Sequence, residues 1–358
     1  MKKMKHLLAV LLTLALALSL LAGCAGTPVS TVDTTAAPET TAAPETTEAP
    51  AAAMVKTGLS ISTDLSGSKS ASAEEDGQAK YDVTVVAVTV RDDGVIESCV
   101  IDSIPATVKF SAAGVITSDL TADVPTKGEM GEAYGMKAYA GSKYEWNEQV
   151  AALAAYAVGK TVDELKNGAV DETGHAADAD LASTASIYLG GYVAGIEAAV
   201  NNAQHLGAQS GDKLVLATVN SLGSSKDATA EKAGAAQLDA YVTAMTMNGD
   251  VISSCYIDSV QAKIAFDAAG TVTTDLTAPV QTKNELGDDY GMKAYAGSKY
   301  EWYEQAAAFA AYVTGKAPAE VAGIAVNEKA APADADLAAT VTISIGDFQA
   351  LIAKAAAQ

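Results

Sequence analysis

Two periods of apolar residues alternate along this chain. Over Asp82–Val90 (DVTVVAVTV) and Val95–Ile104 (VIESCVIDSI), β-branched residues are dense, and Arg91–Gly94 (RDDG) between them carries turn residues. That combination predicts a β-hairpin. ATVKF and VITSDL, on either side of Ser111–Gly114, predict a second one. Gly114, and Gly270 in the related AKIAF-DAAG-TVTTDL, would supply the positive φ of its turn. The period then changes. Over Lys143–Val158 (KYEWNEQVAALAAYAV), Trp146, Val150, Leu153 and Ala154 fall on one helical face, with Ser142 placed as the cap and Gly159 as the stop. Thr161–Glu164 (TVDE) has the spacing of a capping box and opens a short helix. A β-like run, STASIYL at Ser183–Leu189, and an Ala-rich helix complete the pattern. The expected class is α+β, an antiparallel sheet with two or three helices.

The whole pattern occurs twice. GMKAYAGSKYEW stands at Gly135–Trp146 and again, unchanged, at Gly291–Trp302. Between Val95–Trp146 and Val251–Trp302, 35 of 52 positions are identical without a gap, too many for chance similarity of two unrelated segments. Upstream the offset rises by one, so that SKSASAE at Ser68–Glu74 matches SKDATAE at Ser225–Glu231. The extra residue falls in the turn where RDDG faces NGD, a place that tolerates a length change. A period of about 150 residues means duplicated domains and not a solenoid. The predicted units are 55–204 and 205–358, joined through Asn201–Asp212 (NNAQHLGAQSGD).

What precedes the repeats has another character. Lys2, Lys3 and Lys5 lead into an apolar run, Leu7–Leu21, too short for a stable membrane span, and then Leu21-Ala22-Gly23-Cys24. Those four residues look like a bacterial lipobox, in which cleavage precedes the cysteine and its thiol carries a diacylglycerol. Residues 1–23 therefore read as a lipoprotein signal peptide and Cys24 as the lipidation site. Residues 24–54 are built of TTAAPE-like units with almost no large apolar side chains, which predicts a disordered stalk. Anchor and stalk together place the folded part on the extracellular face of a cell membrane, with the lipid bilayer as one partner.

The formal charge is −21, and loss of the three leader lysines takes the mature chain to −24. Such acidity argues against nucleic acid as a partner. The histidines are His6, His175 and His205, and none recurs at an equivalent position of both repeats. No Ser-His-Asp or Cys-His arrangement, His/Cys metal cluster, P-loop, D-x-D-x-D-G loop or GxGxxG after a strand is present, so the expectation is a chain that is not an enzyme in its own right. Cys99 and Cys255 occupy equivalent positions; they read either as small buried strand residues or as a pair able to form a disulfide.

Two features recur in both copies with chemistry attached. In the first, Tyr139, Lys143, Tyr144 and Trp146, with Tyr295, Lys299, Tyr300 and Trp302, could wall a pocket for a flat anionic ligand. Equally, Trp146 and Trp302 could pack into the core from the first helical turn. The second is DADLASTAS at Asp178–Ser186, with DADLAATVT at Asp334–Thr342. This motif, with DGVI at Asp93–Ile96, resembles the FMN-binding domain of bacterial surface flavoproteins and redox-complex subunits. The family motif is close to D-A-x-S-G-A-T-x-T-S, and its threonine receives FMN through a phosphoester bond made by a separate transferase. On that resemblance Asp178 and Asp334 open the motif, and Thr184 and Thr340 are the flavin-bearing threonines. Leu181-Ala182 and Leu337-Ala338 depart from the family's Ser-Gly. The resemblance implies two FMN-binding-like domains in a flavin-binding or electron-transfer module that works with a surface redox protein. The other reading is a structural or protein-interaction module without flavin, in which Asp178, Asp180, Asp334 and Asp336 form a solvated acidic turn.

Overall fold

The computed structural model describes residues 53–358, so the leader, Cys24 and nearly all of the stalk lie outside the described residues. Each copy opens with a three-stranded antiparallel sheet in simple meander order. In the first copy β1 is Lys56–Asp64, β2 Gly77–Val90 and β3 Ile96–Phe110. In the second, β4 is Lys213–Ser221, β5 Gly234–Asn248 and β6 Val251–Phe266. Helices follow each sheet. The first copy has α1 Lys127–Met130, α2 Met136–Ala140, α3 Trp146–Ala157, α4 Val162–Gly168, α5 Ala179–Thr184 and α6 Gly190–Asn201. Their counterparts are α7 Lys283–Leu286, α8 Met292–Ala296, α9 Trp302–Val313, α10 Pro318–Ala322, α11 Ala335–Ala338 and α12 Gly346–Ala356. The class is α+β.

The first hairpin forms as its pattern predicts, Val83 opposite Ile104 and Val88 opposite Cys99. Its apolar run is nearly unbroken because both faces of the sheet are covered. Tyr81, Val83, Val85 and Ala87 point to one core, and Val86, Val88 and Val90 to another beneath the helices. A strand covered on one side only would alternate strictly.

Three expectations are corrected. The second hairpin is not a separate element: β3 runs through Pro105 to Phe110, and beyond the turn only one bridge, Phe110 to Ile116, forms. Gly114 and Gly270 do take positive φ, at 67° and 69°. Helix α3 starts at Trp146, with Glu145 as its cap residue in place of Ser142, because Glu148 reaches back to accept from the Glu145 N–H at 2.7 Å. Gly159, at φ 81°, does follow the helix end. STASIYL and its counterpart ATVTISI form no strand. Thr184 ends the short helix α5, and Leu181, Ala185 and Leu189 turn inward into the core between sheet and helices. Cys99 in β3 and Cys255 in β6 are free thiols, in keeping with the reading of them as small strand residues, and burial pushes each up to about 12.

Each copy keeps its own core under its helices, yet the largest core belongs to both. Val83, Val85, Ile104 and Phe110 pack in one cluster with Leu238, Val242, Val260 and Phe266. The Phe110 and Phe266 rings stack with centroids 4.1 Å apart and planes 2° from parallel. Gly77 and Gly234 leave the necessary room, since a Cβ on either would stand 2.4 Å from the phenylalanine ring of its own copy. Contacts across the junction are reciprocal. Ala71 N donates to Gly270 O and Ala228 N to Gly114 O, both at 2.8 Å. This is the pattern of a two-fold dimer, here written into one chain. The joining segment is also tied down, with Gln204 bridged to Thr57 and Gln209 to Met54 of the first copy. Residues 53–358 accordingly lie within one compact unit around a shared core.

Candidate functional site

A cleft opens between the sheet and the GMKAYAGSKYEW loop in each copy. The first, of about 870 Å³, is lined among others by Asp82, Lys127, Tyr134, Tyr139, Trp146 and Tyr192. The second, of about 590 Å³, is lined by equivalent residues, including Lys283, Tyr290, Tyr295, Trp302 and Phe348. Tyr139 and Trp146 are therefore brought to one site, as are Tyr295 and Trp302.

Their roles within it differ. Trp146 and Trp302 are each 3 % exposed and belong to the core under the helices, so they form the floor. Trp146 Nε1 donates to Tyr192 Oη at 2.9 Å. Tyr139 and Tyr295 are 89 % and 90 % exposed and form the lip. Each ring folds back over a glycine of positive φ, Gly135 or Gly291, where a Cβ would lie 2.4 or 2.5 Å from the ring. Lys143 and Lys299 stay exposed outside the cleft, each 4.8 Å above its neighbour's ring, Tyr144 or Tyr300.

The cation inside the cleft is a different lysine. Lys127 and Lys283 begin α1 and α7, one residue after the capping threonines Thr126 and Thr282. An aspartate of the neighbouring strand, half-buried in the first copy and buried in the second, holds each of these helical turns. Asp102 accepts from Thr126 Oγ1 at 2.6 Å and Gly128 N at 2.9 Å. Asp258 accepts from Ser259 N at 2.7 Å and Asn284 N at 3.1 Å. Burial pushes both carboxyls up, Asp258 to about 6. Lys127 Nζ lies 5.3 and 5.4 Å from the Tyr134 and Trp146 rings and 3.6 Å from Asp82. Lys283 Nζ lies within 4.8–5.1 Å of three rings, Trp302, Tyr241 and Tyr290. Desolvation brings it down to about 8, against the pull of Asp239, Asp258 and Asp347.

A buried glutamine joins the two recurrent features. Gln149 Oε1 accepts from Ser186 N at 2.8 Å and Ile187 N at 3.1 Å, while its Nε2 donates to Tyr144 O at 3.1 Å. Gln305 repeats the arrangement with Thr342, Ile343 and Tyr300. Ile187, Tyr188 and Ile343 thereby reach the cleft wall. Glu145 and Glu301, also buried, cap the loop helices: Glu145 accepts from Met136 N at 2.8 Å and Lys137 N at 3.1 Å.

The proposed flavin-bearing threonines stand apart from this site. Thr184 ends α5 half-buried, and Thr340 is exposed with its Oγ1 donating to Leu337 O at 3.3 Å; neither lines a cleft. Asp178 and Asp334 act as helix caps. Asp178 Oδ1 accepts from Asp180 N and Leu181 N, each at 3.0 Å, and Asp334 does the same at 3.1 and 3.0 Å. The Ala182 N–H, where the family has glycine, is spent on Asp178 O at 2.8 Å and is not free for a phosphate. Ala338 N is likewise taken, by Asp334 O at 2.9 Å. Among the described residues, no group of three or more His, Cys, Asp or Glu could hold a metal ion.

Lys127, Asp102, Glu145 and Gln149, with their counterparts, are not among the residues to which the sequence pattern assigns chemistry. The available signal was polar identity at matched positions inside apolar stretches, where a charge or amide is costly unless partnered. No protein-family model, curated protein or solved structure matches the chain.

Proposed function

We propose that this chain is a lipid-anchored binding module of the extracellular face, attached to the bilayer through Cys24, with two tandem FMN-binding-like units at 55–204 and 205–358. Each cleft takes a flat ligand carrying negative charge, with flavin mononucleotide as the candidate. The observation that carries this reading is the duplication of one cleft with the same parts: a buried lysine, an aromatic floor and an exposed tyrosine lip. A flavin would contribute one-electron and two-electron redox chemistry, and the protein would position the ring. Tyr139 and Tyr295 would cover it, while Lys127 and Lys283 would offer positive charge from below. The role is electron transfer to or from a surface redox protein, without a substrate of the chain's own.

The helix-spent N–H of Ala182 favours flavin held non-covalently over flavin on Thr184 or Thr340. The test is the absorption spectrum of the full chain purified from a host that has a flavin transferase. Colour released by denaturation is the expected result. A fluorescent band that persists on a denaturing gel and is lost in Thr184→Ala would place the flavin on the threonine. A colourless protein that leaves added FMN fluorescence unchanged would overturn the flavin reading in favour of a structural or protein-interaction role.

A further inference from the structure

The two clefts share their parts but differ in the state of the lysine. Lys127 has Asp82 at 3.6 Å, and Asp82 in turn lies 3.2 Å from Lys80. Lys283 has no ion-pair partner among the described residues, although the equivalent aspartate, Asp239, is present. The reason is local: Asp239 Oδ1 is taken by Gln237 Nε2 at 2.8 Å and by Gln261 Nε2 at 2.9 Å. Where the first copy has Thr84, Pro105, Gly191 and Tyr192, the second has Tyr241, Gln261, Asp347 and Phe348. Tyr241 adds a third ring around Nζ, and Gln261 shares the Asp239 carboxylate. Lys283, 4 % exposed and ringed by aromatics, has no carboxylate within ion-pair distance, and the more distant Asp239, Asp258 and Asp347 offset only part of the cost of holding its proton.

We propose that Lys283 is a nucleophilic site, condensing with the aldehyde group of a flat aromatic ligand to form an imine in the second cleft, and that Lys127 is not. The assignment rests on the cleft being a ligand site and is independent of the ligand being a flavin. The neutral amine adds its lone pair to the carbonyl carbon, forming the C–N bond, and the carbonyl oxygen takes a proton to become hydroxyl. Loss of that hydroxyl as water, with return of the N–H proton, leaves the C=N bond. The groups facing Nζ are Asp239 from β5, Asp258 from β6 and Asp347 from α12, with the Tyr241 and Tyr290 rings. Asp347 lines the same cleft, and burial raises its carboxyl. It is the group that would supply and recover the proton. The three rings around Nζ favour a flat aromatic aldehyde.

The full chain, treated with benzaldehyde and sodium cyanoborohydride as the trapping reductant, should carry the benzyl group first on Lys283, as read by peptide mass mapping. At pH 7.5 an amine titrating near 8 holds on the order of 100-fold more neutral form than an ordinary lysine. Labelling should accordingly exceed that of exposed Lys299 by about tenfold or more, and should rise with a midpoint near pH 8. Lys283→Met should abolish the fast label and leave slow labelling of Lys127 unchanged. Should that variant fail to fold, the ratio of Lys283 to Lys127 labelling within the wild-type chain decides. Equal rates at the two, or a Lys283 rate no higher than that of Lys299, would overturn the assignment. Absence of flavin from the purified protein would leave it standing.

Discussion

Lys283 keeps a cation among three rings at the cost of most of its hydration, and that cost is visible in its titration. An amine at about 8 in the fold, against 10.5 in an unfolded chain, carries a desolvation penalty of about 3 kcal/mol at neutral pH. The sign follows from linkage. Below pH 8 the folded state must hold a proton that burial disfavours, and the penalty is present in full. Between pH 8 and 10.5 the folded state sheds that proton before the unfolded chain does, so stability from this group rises with pH. Lys283→Met keeps the length of the side chain and removes the charge. Allowing about 1–2 kcal/mol for lost cation–π attraction, the variant should be more stable than wild type by about 1–2 kcal/mol at pH 7. Thermal melts at pH 7 and pH 10 check this: the gain should be gone at the higher pH. A gain that is unchanged at pH 10 would show that packing, and not charge, separates the two proteins.

The elements around each cleft are short, and helices of four to six residues do not stand by themselves. Buried polar side chains hold them. Gln149 spans α3, the loop carrying Tyr144 and the segment after α5, and its amide satisfies backbone groups on both sides. Replacing it with leucine leaves the Ser186 and Ile187 N–H groups and the Tyr144 carbonyl without a partner. Gln149→Leu should destabilise the protein by about 3 kcal/mol, since each stranded group costs about 1–3 kcal/mol before relaxation. Hydrogen exchange should localise the damage, with faster exchange at Ser186 and Ile187 and unaltered exchange in β5 and β6. Uniform loss across both copies would contradict the local role.

For the whole molecule, the shared core decides how the copies depend on one another. Residues 53–204 expressed alone would expose Val83, Val85, Ile104 and Phe110, all fully buried in the complete chain. Their own helices cover only the opposite sheet face. The isolated copy should self-associate through that face, because the junction it lost was already two-fold in pattern. Sedimentation of the fragment should give a dimer, and dilution should lower its melting temperature. A monomer with a cooperative, concentration-independent melt would show that the outer core alone suffices.

Much of this architecture is written in local patterns. The duplication, the β2–β3 hairpin, the glycine turns at Gly114 and Gly270, the apolar face of α3 and the capping box at Thr161 depend on neighbouring residues, and local rules read them directly. What failed locally was decided at a distance. STASIYL has strand composition, but Leu181, Ala185 and Leu189 are buried in the core between the sheet and the helices and pair with no strand. Asp178 and Asp334 look like ligand-binding carboxylates, yet backbone N–H groups two and three residues on occupy them. Lys127 and Lys283 differ although their surrounding motifs are nearly the same. Asp82, which pairs with Lys127, and its counterpart Asp239 come from strands more than forty residues earlier, and Gln261 from yet another strand. A side chain's protonation and reach depend on what surrounds it in space, and the chain determines that only once both sheets and their helices have closed around one core.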